Sequence, residues 1–188
     1  MDNASKYNIR VVNLSIGTND KNVNIPLMDA VNTLWYRGIT VVAAAGNPDT
    51  NRGLLPSPAI SPKIITVGAW EDRFIFYEAQ SSINIFNKQS FSMPDIWAPG
   101  ENIISVLSPD YYFVLQNRDT SKIVDRRYIK MSGTSMATPI VSGAAALLLE
   151  KYPRLSPDGI KQRILMGSRL ERSMDKRGLL NIKASMEI

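Results

Sequence analysis

The sequence predicts an α/β fold built around a mostly parallel central sheet. Three observations carry that expectation. A strand, a helix and a second strand follow one another between residues 9 and 45, which is a βαβ unit. The second of these strands, Ile39 to Ala45, is a continuous apolar run, as in a strand covered on both faces. The stretch from Ser135 to Tyr152 is apolar or small on almost every face, which places it as a helix in the middle of a domain.

Each element follows from local pattern. Ile9 to Ile16, IRVVNLSI, reads as a strand ending at Gly17-Thr18. Residues 26 to 37 carry apolar side chains at helical spacing, with Pro26 in the first turn and Gly38 just past the end. A Pro-rich loop leads into a strand from Lys63 to Trp70. Residues 71 to 93 show no clear period. Asp95 to Val106 reads as strand, Pro-Gly turn, strand, and residues 110 to 130 as an exposed hairpin or insertion. Ser156-Pro157-Asp158 supplies a cap and a first-turn proline for an amphipathic helix over Ile160 to Met166.

Composition narrows the functional classes. The 188 residues make one domain or most of one, 44% apolar and 21% charged. The net charge of +5 comes from scattered Lys and Arg, which suits a solvated surface better than nucleic acid binding. The absence of cysteine removes disulfide frameworks, thiolate metal sites and cysteine catalysis. No apolar run is long enough to span a bilayer, and the first ten residues contain no signal-peptide core.

The candidate chemistry centres on Ser135, between Gly133-Thr134 and the buried helix. Serine at a helix start is commonly only a cap, and spacing alone does not separate a cap from a nucleophile. Two other stretches bear on it. Asn47 ends the buried strand, and in parallel sheets ligands gather at the carboxyl ends of strands. An amide there and the Ser135 N–H would make a two-donor oxyanion hole, reinforced by the helix dipole. Ser15-Ile16-Gly17, ending the preceding strand, offers extended backbone to a bound peptide. The plainer alternatives are that Ser15 and Asn47 only terminate strands and that Met136 is ordinary packing.

Six blocks in order give these residues a family resemblance. They are Asn13-Leu14-Ser15-Ile16-Gly17, Val41 through Asn47, Ile65-Thr66-Val67-Gly68-Ala69, Trp97-Ala98-Pro99-Gly100, Gly133-Thr134-Ser135-Met136-Ala137-Thr138-Pro139 and Gly178-Leu179-Leu180-Asn181. Together they resemble the subtilisin-like serine proteases, or subtilases, over nearly the whole chain. The resemblance implies a three-layer fold with helices on both faces of the mostly parallel sheet. It implies that Ser135 attacks the scissile carbonyl while Asn47 and the Ser135 N–H hold the oxyanion and Thr134 supports them. Ser15, Ile16 and Gly17 would pair with the acyl side of a peptide or protein substrate. Ala44, Ala45 and Gly46 would line the pocket for the residue before the cleaved bond, and Met136 would be open to oxidation. The carbonyls of Ala59, Ser61 and Ile64 fall where the family has a weak cation site, so calcium is a candidate ligand. The resemblance also suggests a cis Ser57-Pro58 bond and a secreted or cell-surface location.

One departure is decisive. Subtilases order their triad Asp, His, Ser, and the first two lie upstream of the Ser-x-Gly segment. Here that segment begins at residue 15, neither block is present, and the chain has no histidine. Losing the triad histidine costs about 10⁶-fold in kcat. A Ser135–Lys130 dyad is a poor substitute, because lysine amines stay protonated to about pH 10. The Gly133-x-Ser135-x-Ala137 pattern nearly matches an esterase elbow, but that fold needs a histidine after the serine. The expectation is therefore the C-terminal two-thirds of a protease domain, inert alone, with the Asp and His in the same precursor or a second chain. The alternative is a non-catalytic, peptide-binding subtilase-like module.

Overall fold

The computed structural model describes residues 3–18, 21–46, 55–70, 94–110, 120–169 and 178–188, leaving aside the side chains of 21–25. A four-stranded parallel sheet runs in chain order: β1 (Val11–Leu14), β2 (Thr40–Ala44), β3 (Ile65–Trp70) and β4 (Ile96–Pro99). Val12 stands opposite Val41, Ala43 opposite Thr66, and Gly68 opposite Trp97. No residue of β2 is more than 4% exposed. Successive strand side chains point to opposite faces, so the sheet is covered on both sides, as the apolar run predicts. The expected Ile9 to Ile16 strand is shorter in the structure, because its last residues leave the ladder to form part of the candidate site.

Helix α1 (Lys21–Tyr36) joins β1 to β2. It begins earlier than its apolar spacing predicts, and Pro26 lies inside it rather than in its first turn. The polar residues before Pro26 carry no helical period, which hid the start. Helix α2 (Thr134–Lys151) packs on the sheet through Ala137, Val141, Ala145, Leu148 and Leu149. That matches the central place expected of it, while one face stays open. Pro139, Gly143, Ala146, Leu147 and Glu150 form an exposed stripe, with Leu147 43% exposed.

Helix α3 (Pro157–Met166) starts as the sequence predicts: Ser156 Oγ accepts from the Gly159 N–H at 3.1 Å. Trp35 Nε1 donates to Asp158 Oδ1 at 3.0 Å and fastens α1 to α3. The expected second strand after the Pro-Gly turn is β5 (Ile103–Val106), which joins β6 (Ile123–Val124) and β7 (Tyr128–Met131) in an antiparallel sheet ordered β5-β7-β6. A short helix that the sequence did not announce, α4 (Ile182–Glu187), follows Asn181, whose side chain accepts from the Ala184 N–H at 3.1 Å. The Gly178 to Leu180 segment runs beside β4, with Trp97 N–H on the Gly178 carbonyl and Leu180 N–H on the Trp97 carbonyl. The Ser57-Pro58 bond is cis. Among the described residues no helix is long and apolar enough to cross a membrane.

Candidate active site

Ser135 is placed by the close approach of two chain segments. The N-cap of α2 is Gly133, which has no side chain to close the first turn. Its N–H donates to the Gly100 carbonyl at 2.8 Å, seating the helix start beside the end of β4. A Cβ at Gly100 would lie 2.6 Å from Ala69 Cβ and 2.9 Å from the Gly133 carbonyl oxygen, so the approach requires glycine there. Ser135 is then the second residue of the helix, and its N–H has no intrahelical acceptor. The helix dipole adds partial positive charge at the same point. Thr134 is buried, and its carbonyl accepts from Thr138 Oγ1 at 2.6 Å. Ser135 itself is half-buried.

The structure brings Ser15 to Ser135. Ser15 Oγ donates to the Ser135 carbonyl at 2.9 Å, and Ser135 Oγ reaches the Ser15 carbonyl at 3.4 Å. Pro139 explains the first bond. It has no N–H, so the Ser135 carbonyl lacks its usual donor one turn along the helix. The Ser15 hydroxyl takes that place. Ser15 is held in turn by Asn13, whose Nδ2 donates to its Oγ at 3.0 Å. Ser142 Oγ lies 2.9 Å from Asn13 Oδ1 and 3.1 Å from the Thr138 carbonyl, and shares its one proton between them. Asn13, Pro139 and Ser142 were not singled out from the sequence. The first two stand inside the quoted family blocks; what those blocks could not show is that the residues meet through Ser15.

Ile16 and Gly17 continue from Ser15 in the open, and Ile16 is 59% exposed. Thr18 then pairs with Ser57 through two backbone hydrogen bonds, 2.9 and 3.0 Å, which pins the far end of the segment. Ala44 and Ala45 are buried at the carboxyl end of β2, and the Ala45 N–H donates to the Val67 carbonyl at 2.9 Å. Gly46 turns the chain with φ of 84°, a conformation few other residues adopt. Asn47 lies outside the described residues. Lys130 stands exposed in β7 and, among the described residues, makes no hydrogen bond to Ser135.

The arrangement is a hydroxyl and a free-facing amide at a helix start, beside extended backbone at the carboxyl ends of parallel strands. It can present a nucleophile and one oxyanion donor to a peptide laid along residues 15 to 17.

Known proteins share this framework. The chain is 38% identical over 169 residues to the serine protease AprX of Bacillus subtilis (strain 168), covering 85% of this chain and 38% of AprX. It is 29% identical over 194 residues to subtilisin DY of Bacillus licheniformis, covering 98% of this chain and 59% of that protein. The chain thus spans less than two thirds of either relative. Among solved structures, the prenylagaramide maturation protease PagA superposes with a TM-score of 0.64 at 27% identity, over 99% of this chain and 64% of its own. The self-cleaved protease domain of PatA gives 0.62 at 26%, over 98% and 63%. The subtilase family model matches residues 1–181, and the chain belongs to that family of serine proteases.

Proposed function

We propose that these residues form the nucleophile-bearing part of a serine endopeptidase of subtilisin type, and that the proton acceptor for Ser135 comes from outside them. The supporting observation is the position of Ser135: half-buried at the start of α2, with the Ser15 carbonyl 3.4 Å from its hydroxyl. In this reading Ser135 Oγ attacks the scissile carbonyl, the amine half of the peptide leaves, and water hydrolyses the acyl-enzyme. The oxyanion is received by the Ser135 N–H and the side-chain amide of Asn47, each donor worth about 2.7 to 4 kcal/mol. Thr134 backs that hole. Ser15 to Gly17 pair with the substrate backbone, and Ala44 to Gly46 bound the pocket of the residue before the cut. A histidine oriented by an aspartate takes the Ser135 proton and returns it to the leaving amine. With no histidine in the sequence, both must be donated by another segment.

Two features suit the docking of that segment. Among the described residues β1 pairs only with β2, leaving its other edge unpaired, and Val11, Val12 and Leu14 are only half-buried. The exposed stripe of α2, through Gly143, Ala146 and Leu147, is small and apolar enough to take a second helix closely. Part of each solved neighbour's chain has no counterpart here. A secreted or cell-surface location belongs to the same proposal.

The experiment co-expresses the chain with an N-terminal subtilase segment bearing the Asp and His blocks, such as that of AprX, and follows peptide hydrolysis. The expected result is turnover that Ser135→Ala lowers by about 10⁶-fold, the cost known for the triad serine of subtilisin itself. Stable association without turnover would count against the protease reading.

A second reading is favoured by one observation, the complete absence of histidine: a subtilase-like module that binds peptide without cutting. The coding sequence upstream separates the two. An Asp-x-Gly block followed by His-Gly-Thr in the same or an adjacent frame supports the protease; intact sequence lacking both supports the binding module.

A further inference from the structure

A lysine binds one of the carbonyls, that of Ile64, at which the family resemblance anticipates a metal. Lys161 Nζ, reaching from α3, lies 2.6 Å from the Ile64 carbonyl, 3.1 Å from that of Pro62 and 3.5 Å from that of Lys63. It forms an ion pair with Asp95 Oδ2 at 2.8 Å, both side chains mostly buried. An ammonium has three N–H donors. The three closest oxygens, on Ile64, Asp95 and Pro62, match that number. The same Asp95 oxygen accepts from the Thr66 N–H at 2.9 Å, and the Asp95 N–H donates to the Thr66 carbonyl at 2.8 Å.

Two of the three carbonyls anticipated as calcium ligands, those of Ala59 and Ile64, are engaged otherwise. That of Ile64 takes the lysine, and that of Ala59 accepts from Thr66 Oγ1 at 2.7 Å. The Ser61 hydroxyl is turned to Asn32 Oδ1 at 2.8 Å. Calcium needs six to eight oxygens at about 2.3 to 2.6 Å. A carbonyl turn and one carboxylate already closed on an ammonium do not offer that, and the described residues do not fit the ion.

We propose that Lys161 is a tethered cation: its ammonium fills a cation cradle formed by the carbonyls of residues 62 to 64 and the Asp95 carboxylate, and makes this region independent of added metal. One charge then joins three elements, because the carbonyls lead into β3, Asp95 leads into β4, and the lysine rides on α3. The protein supplies the cation at high effective concentration, whatever the calcium level outside.

Lys161→Met, which keeps the stem and removes the charge, vacates the cradle. The full chain and this variant are followed by thermal unfolding and by the amide resonances of Ile64, Thr66 and Asp95 during titration with calcium chloride or potassium chloride. In the parent these amides are expected to stay in place up to millimolar salt of either kind. The variant is expected to melt about 3 to 10 °C lower, from the carbonyls and carboxylate left unpaired. Its same three amides should shift saturably as an ion enters. Saturable shifts in the parent would overturn the proposal. So would a variant as stable as the parent, or one whose amides answer to neither ion. If the variant does not fold, the parent titration decides alone.

Discussion

At the scale of single residues, the site turns on a proline. Pro139 removes the N–H that would bind the Ser135 carbonyl, and the Ser15 hydroxyl fills the gap at 2.9 Å. The end of β1 is thereby held to the helix that carries Ser135. Ser15→Ala should leave that carbonyl without a donor and cost about 1 to 2 kcal/mol, roughly 2 to 8 °C in melting temperature. Pro139→Ala restores the helical N–H, so the double variant should recover most of the loss, and the two changes should be strongly non-additive in a double-mutant cycle. Additive effects would show that the proline and the serine are not coupled. The place of Ser135 at the start of a helix was legible in the sequence, because a serine before a run of small residues is a local pattern; its role was not, because a cap shares that pattern. The coupling was not, because the partners lie just past β1 and on α2, far apart in the chain.

At the scale of elements, pattern succeeded where one environment surrounds a whole segment. β2 is buried throughout, and its unbroken apolar run said so. The cap of α3 was equally plain, since Ser156 and Pro157 act within one turn. Pattern failed where polar residues begin a helix, as in α1, and where a helix is only a turn or two long, as in α4. It placed α2 against the sheet but did not show which face of it stays open. The composition of that helix suits contact on every side, whereas the structure leaves one stripe open. Under the proposal that stripe receives the segment carrying the histidine. Leu147→Glu should change the stability of the chain itself by no more than about 0.5 kcal/mol, as at an ordinary surface position. Its affinity for the completing segment should fall by about 100-fold or more, because docking would bury an unpaired carboxylate. Thermal melts and a binding titration give the two numbers. Unchanged affinity would place the docking surface elsewhere.

At the scale of the whole molecule, the parallel sheet and its helices hold Ser135 at a helix start beside the extended backbone of Ser15; under the proposal these parts act by position, as nucleophile, oxyanion donor and substrate strand. The histidine that would move the proton in that reading is absent from the sequence. Family membership was readable from six ordered blocks, because those blocks are where backbones approach one another and tolerate few residue types. Gly100 is the clearest case, packed against both Ala69 and the Gly133 carbonyl. The sequence just after Asn47 was not readable, since no block extends into it. The most direct measurement is labelling of Ser135 by a fluorophosphonate probe, which requires an activated serine. The purified chain alone should remain unlabelled, and the same chain joined by a subtilase segment bearing the Asp and His should label at Ser135. Labelling of the chain alone, or none once the segment is bound, would contradict a nucleophile awaiting its base.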